Sequence, residues 1–287
     1  HKGNPEMVFQ NLDDARDYVL SNDEDYFITD EIIRGVSFKV FKNGPKLIPD
    51  ILNLCLNHKE KDFLVFDKER YSFGEFHQLT CQIAHLLMDE YSIRPGDRVA
   101  ILMKNSPEFP LIFMALSSIG AVAVCLNSWW TSDELKYGFM DSKVKLVFTD
   151  EQRLAKIKGF VSEMGVQTVL CRHQNSDKSD EFWNSLLTSK NNELPRTTID
   201  QDSDFAVMYT SGSTGHPKGV VMTHRGAIST LMSWHFGLRV LDVMGLGPVP
   251  YVDKNNQPYQ PCQLVSVPFF HVSGTHGGLL LALWSGT

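Results

Sequence analysis

Arg98-Val-Ala-Ile-Leu-Met103 opens an apolar run. Asn105-Ser-Pro-Glu108 follows, then an uncharged stretch from Phe109 to Ile119, then Gly120 and a second apolar run, Ala121–Leu126. Short continuous apolar runs fit strands buried on both faces. Asn105 reads as a cap with Pro107 in the first turn, opening a helix that Gly120 stops. Strand, helix and strand joined by short turns make a βαβ unit, whose crossover is right-handed.

The pattern extends both ways. Upstream, Ser72-Phe-Gly-Glu75 is a capping box, and Phe76, Leu79, Ile83, Leu86 and Leu87 follow at helical spacing until Pro95-Gly96. Downstream, Thr131-Ser-Asp-Glu134 is a second box. Its helix leads to a strand at Val144–Thr149, and a helix from Glu151 leads to a strand at Gln167–Cys171. Such alternation predicts an α/β fold: a doubly wound, mostly parallel sheet with flanking helices. Residues 1–50 read as an acidic, irregular lead-in with one helix near Asp13–Leu20, residues 51–200 as a first sheet subdomain, and residues 201–287 as an incomplete second one.

Phe109 to Ser132 carries no charge and is long enough to span a bilayer. Pro110, Gly120 and the Ser117-Ser118 pair instead divide it into a helix and a strand. A formal charge of −7 with no basic cluster argues against a nucleic-acid partner. Cys55, Cys81, Cys125, Cys171 and Cys262 are odd in number and include no Cys-x-x-Cys pair, which fits reduced thiols and a cytoplasmic setting. A homodimer is left open.

The chemistry concentrates in Tyr209-Thr-Ser-Gly-Ser-Thr-Gly-His-Pro-Lys-Gly219, between the strand-like runs Phe205–Tyr209 and Val220–Met222. Gly212, Gly215 and Gly219 allow positive φ and inward-turned N–H groups. Thr210, Ser211, Ser213 and Thr214 add hydroxyls, and Lys218 a positive charge, as a polyphosphate cradle requires. A plain connector would not need that combination. The mononucleotide P-loop does not fit: Pro217 replaces its second glycine, and Gly219 stands where its magnesium-binding hydroxyl should be.

Beyond the loop, Thr223-His224 precedes a helix to about Phe236, and Leu238–Pro261 reads as a long irregular excursion. A strand at Gln263–Val267 then leads through the turn Pro268–Gly274 to a helix at His276–Trp284, with Gly286 as its stop. His271 and His276 are spaced like a metal pair. Nothing nearby supplies further ligands, so no transition metal is expected. Trp129-Trp130 reads as a packing pair at a sheet edge.

The string Thr-Ser-Gly-Ser-Thr-Gly-x-Pro-Lys-Gly closely resembles the phosphate loop of the adenylate-forming superfamily, which includes acyl-CoA synthetases, aryl-acid ligases and luciferases. Pro95-Gly-Asp-Arg-Val99, Asn105-Ser-Pro-Glu-Phe109 and Gly120-Ala-Val-Ala-Val124 are similar to that family's early blocks and stand in its order.

The resemblance implies ATP-dependent activation of a carboxylic acid, a fatty acid first, to acyl-AMP and then acyl-CoA. ATP and Mg²⁺ are the implied cofactors and CoA the co-substrate. It assigns Thr210, Ser211, Gly212, Ser213, Thr214, Gly215, Lys218 and Gly219 to the phosphates. Pro268-Phe-Phe-His271 resembles the block whose histidine lies where carboxylate meets α-phosphate. Some long-chain members carry a tryptophan four residues after that histidine, where this chain has Thr275. The family's Tyr/Phe-Gly-x-Thr-Glu and Thr-Gly-Asp blocks, its hinge and its C-terminal lysine have no match. The resemblance therefore implies an N-terminal portion of an enzyme, inactive alone. A non-catalytic nucleotide- or acyl-binding module, or an enzyme for an aryl or amino acid, is the alternative.

Overall fold

The structure is a computed structural model that describes residues 9–173, 181–187, 191–210 and 215–287. In chain order its regular elements are α1 (Leu12–Asn22), β1 (Ile28–Ile33), β2 (Val36–Phe41), α2 (Ile48–Leu54), β3 (Asp62–Phe66), β4 (Glu69–Ser72), α3 (Phe73–Asp89), β5 (Arg98–Leu102), α4 (Glu108–Ser118), β6 (Val122–Cys125), α5 (Ser132–Ser142), β7 (Leu146–Asp150), α6 (Glu151–Ile157), β8 (Gln167–Arg172), α7 (Glu181–Leu187), β9 (Asp204–Thr210), β10 (Lys218–Thr223), α8 (His224–Val243) and α9 (Leu281–Ser285). Residues 1–46 with 225–261 form one compact unit, and residues 47–224 with 262–287 form another.

The larger unit holds a six-stranded sheet in the order β10-β9-β6-β5-β7-β8. All neighbours are parallel except the β9–β10 pair. This is the predicted α/β arrangement. On one face, Ala100, Leu102, Val122, Val124, Val147, Val207 and Tyr209 pack against Leu135 and Phe139 of α5 and Ile157 of α6. On the other, Phe148 meets Tyr91 and Phe182, and α3 packs on α4 and α7. All eleven residues of α4 are buried, which is why its sequence imitates a membrane span: a helix apolar all round belongs inside a large core. No helix among the described residues is long and apolar enough to cross a membrane.

Both capping boxes form as read. Ser72 Oγ accepts from the Glu75 amide while the Glu75 carboxylate accepts from the Ser72 amide, and Thr131 and Glu134 do the same. The cap at Asn105 does not form. α4 starts at Glu108, and the Asn105 side chain is used elsewhere.

Glu108 itself is fully buried and paired. Arg172, at the end of β8, lies 2.8 Å from it and 2.8 Å from Glu69 of β4. Trp183 Nε1 donates to Glu108 at 3.1 Å and Tyr71 Oη to Glu69 at 2.8 Å. Burial works against the Arg172 charge, but the two carboxylates outweigh it and push its pKa up. Hydrogen bonding from Arg172 holds Glu69 below the usual carboxylate range.

In the smaller unit the expected irregular lead-in is corrected. Besides α1, which covers the predicted helix, β1 and β2 form an antiparallel hairpin turning at Arg34-Gly35. α8 also runs past Phe236 to Val243. Its inner side meets Tyr26 and Phe41 through Phe236, and Arg239 bonds Asp23 at 3.1 Å.

Candidate phosphate loop and its surroundings

β9 and β10 are the two arms of the glycine- and hydroxyl-rich loop. Their antiparallel register pairs Thr210 with Lys218 and Gly219 with Tyr209, so these four residues stand together at the loop end of the pair. Ser211, Gly212, Ser213 and Thr214 lie outside the described residues. Thr210, Gly215, Lys218 and Gly219 are exposed, and the Thr210 hydroxyl lies 3.5 Å from the Lys218 carbonyl.

Gly215 has φ +96° with open space around it, a backbone state that favours glycine and turns the amide out of the strand path. Gly219 does not share that role, contrary to the reading of all three glycines as positive-φ residues. It lies in β10, and a Cβ there would sit 3.1 Å from Val207 Cγ1 and 3.4 Å from the Tyr209 ring. It is glycine for close approach within the hairpin.

The first arm is fixed from behind. The Tyr209 hydroxyl donates to Asp141 Oδ2 at 2.7 Å and reaches the Gly138 carbonyl at 3.3 Å, while its ring meets the Trp130 edge at 5.3 Å. Burial and the neighbouring Asp141 carboxylate push the phenol pKa up, so it remains a donor.

His271 reaches the same sheet by another route. The predicted strand at Gln263–Val267 is absent: the segment is non-regular and has no strand partner among the described residues. The Asn105 side chain holds its end instead, donating to the Val267 carbonyl at 2.9 Å and accepting from the Phe269 amide at 2.9 Å. Asn105 follows β5 by three residues, so this clasp brings the Pro268–Gly274 turn to the carboxyl end of β5, where open α/β sheets place ligands.

Phe269 and Phe270 are buried and His271 is exposed, its ring 4.8 Å from Phe270. A Cβ on Gly274 would fall 2.3 Å from the Pro268 carbonyl oxygen, so the turn closes only on glycine. After it the chain forms a π-type helix at Ser273–Leu280 before α9, rather than one α-helix from His276. Gly286 ends α9 in the left-handed conformation expected of a stop.

Thr275, at the position where some long-chain relatives are expected to carry tryptophan, is fully buried. Its hydroxyl donates to the His271 carbonyl at 3.3 Å and lies 3.9 Å from Met208 Sδ on β9, tying the histidine turn to the loop's strand. His276 is buried with Nδ1 3.2 Å from Thr275 Oγ1, and burial lowers its pKa to about 4. It is a core histidine, kept neutral. Among the described residues no three His, Cys, Asp or Glu side chains come together as a metal cage. Trp130 packs as expected, but Trp129 is 67% exposed and touches Phe270 edge-on at 5.3 Å.

Sequence reading gave Trp129 a packing job and did not foresee what Asn105 and Asp141 hold. Asn105 carried a signal, but for the wrong job. Asp141 carried none.

The family model described as "AMP-binding enzyme" matches residues 54–287. The chain is 31% identical over 218 residues to 4-coumarate--CoA ligase 3 of Arabidopsis thaliana, covering 75% of this chain and 36% of the relative. The inhibitor-bound N-terminal domain of FACL13 from Mycobacterium tuberculosis superposes with TM-score 0.68 at 25% identity, over 84% of this chain and 56% of that one. A Mycobacterium tuberculosis fatty acyl CoA synthetase does so with TM-score 0.63 at 25% identity, over 84% and 43%. The chain spans about a third of the length of the curated relatives it matches.

Proposed function

Because the chain belongs to the AMP-binding enzyme family, we propose that it supplies the triphosphate grip of a ligase that activates a carboxylic acid with ATP and passes the acyl group to CoA. The observation that carries this reading is the β9–β10 pair, which sets exposed Lys218 opposite exposed Thr210 with the positive-φ Gly215 between them in sequence.

In the proposed reaction the acid's carboxylate oxygen attacks the α-phosphorus and pyrophosphate leaves. A CoA thiolate then attacks the acyl carbon and AMP leaves. The carboxylate needs no general base, so the chain's contribution is positioning and charge neutralisation. Thr210, Ser211, Ser213, Thr214 and the amides of Gly212, Gly215 and Gly219 would bond the β- and γ-phosphates, with Lys218 as a mobile point charge. Mg²⁺ would share the phosphate load with these groups. His271, exposed on its Phe270 footing, is the group we assign to the carboxylate.

In this reading residues 51–200 act as support, and the loop and the histidine lie within residues 201–287. The remaining two thirds of the relatives' length would complete the active site, so turnover requires sequence beyond these residues. A fatty acid is our first assignment. An aryl acid is the second, favoured by the similarity to 4-coumarate--CoA ligases.

The test is acid-dependent pyrophosphate exchange with a polypeptide covering the full length of the relatives, across fatty, aryl and amino acids. Exchange that survives Lys218→Ala and His271→Ala undiminished would overturn the site. Exchange by the 287-residue chain alone would overturn the need for the remainder.

A further inference from the structure

The second arm of the loop is held as well as the first, by a contact to which the reading above gives no role. The ring of His216, between Gly215 and Pro217, stacks on the ring of Tyr137 with centroids 4.9 Å apart and planes 21° apart. Tyr137 is half-buried on α5 and packs against the core on that face of the sheet, whereas His216 is exposed. The same helix supplies Asp141 and the Gly138 carbonyl to the Tyr209 hydroxyl. Tyr137 and Asp141 are four residues apart, so they lie on one face of α5, one facing each arm of the loop.

α5 is itself well anchored. Its capping box fixes the amino end, and Gly138 lets Leu126 and Trp130 come so close that a Cβ would meet both at 3.0 Å. A loop rich in glycine and hydroxyls has many conformations to lose when it closes on a ligand. An aromatic stack on a rigid helix removes some of them beforehand.

We propose that Tyr137 is a positioning residue: by stacking on His216 it latches the descending arm of the phosphate loop to α5 and pre-orders Lys218, two residues on. The inference rests on the phosphate-loop reading for its purpose, but the latch can be observed without any nucleotide.

The experiment is limited trypsin digestion of the 287-residue chain, following cleavage after Lys218 by mass spectrometry, with and without MgATP. It uses Tyr137→Ala, Tyr137→Phe, His216→Ala and the double variant Tyr137→Ala/His216→Ala. Cleavage within β10 requires local opening. Loss of one aromatic pair should therefore raise its rate about 2- to 10-fold in Tyr137→Ala and in His216→Ala.

Tyr137→Phe, which keeps the stack, should stay near the wild-type rate, and the double variant should be no faster than the faster single one, since both remove the same contact. Protection by MgATP should need a correspondingly higher nucleotide concentration in the two alanine variants. Because His216 is an exposed loop residue, His216→Ala keeps the test open if Tyr137→Ala does not fold. Wild-type cleavage rates in the folded alanine variants, or acceleration in Tyr137→Phe equal to that in Tyr137→Ala, would overturn the latch. Acceleration in the alanine variants, with no MgATP protection of Lys218 in a polypeptide covering the full length of the relatives, would uphold the latch and overturn the phosphate reading instead.

Discussion

Replacing Arg172 by methionine tests whether Glu108 is held as a buried, paired carboxylate. Arg172 touches Glu108 through Nη2 at 2.8 Å and Nε at 2.9 Å, and no part of Glu108 is exposed. In Arg172→Met the carboxylate keeps the Trp183 indole as a donor but loses its countercharge while itself fully buried. Removing one partner of a buried pair costs about 3–5 kcal/mol, because the other is left uncompensated. In a chain this long that lowers the thermal midpoint by roughly 6–20 °C. Adding Glu108→Gln should recover part of the loss, since the neutral amide needs no cation, and the coupling in the double-mutant cycle should be at least about 1 kcal/mol. Urea unfolding followed by circular dichroism gives the energies, and fluorescence, with Trp183 at the cluster, adds a local report. A loss below about 1 kcal/mol in Arg172→Met, with no coupling to Glu108→Gln, would refute the reasoning.

Other outcomes follow from the same structure. Lys218→Ala should weaken MgATP binding on the order of tenfold or more, the worth of one charge-assisted hydrogen bond, as read by calorimetry; unchanged affinity counts against the loop. Gly274→Ala forces a methyl against the Pro268 carbonyl, with a spacing of 2.3 Å before relaxation, and should cost about 1–3 kcal/mol in urea unfolding. His224 and His276 are buried, and burial lowers both from 6.5 to about 4. As pH falls the unfolded chain therefore takes up these protons first: their contribution is full above pH 6.5 and drains toward pH 4, on the order of 3 kcal/mol each. Stability measured between pH 6.5 and 5 should fall with acid, and His276→Leu should flatten that slope; an unchanged slope removes His276 from the account.

The central sheet was legible because each of its signals is local. The run Val99–Leu102 and the four buried residues of β6 declare strands by composition, and Ser72 and Thr131 declare helix starts through partners three residues away. Misreadings arose where local pattern and tertiary use diverge. Ile28–Ile33 breaks its alternation with charged residues, and although Val36, Phe38 and Val40 do alternate with polar residues, both runs remain mostly exposed, so the pattern marks no buried face. Gln263–Val267 has the composition of a strand but no neighbour among the described residues, because the backbone groups that bracket its end, the Val267 carbonyl and the Phe269 amide, are satisfied by one asparagine.

The site divides along the same line. What would touch a phosphate is written contiguously, since a loop must carry its own hydroxyls, glycines and lysine. What holds that loop is written far away: Asp141 meets Tyr209 across 68 residues, and Asn105 meets Val267 across 162. At such separations a hydrogen bond leaves no periodicity and no spacing rule to read. The one regularity available is on α5, where Tyr137, Gly138 and Asp141 share a face. A tyrosine and an aspartate four apart on a half-exposed helix ordinarily suggest surface decoration. Their meaning appears only when β9 lies beside β6 in the sheet and the Lys218–Gly219 arm returns antiparallel to β9. That strand order carries His216 back toward the helix that already holds Tyr209. The chemistry of this family is therefore readable in a ten-residue string, while the rigidity that lets such a string work before its ligand arrives is a property of topology.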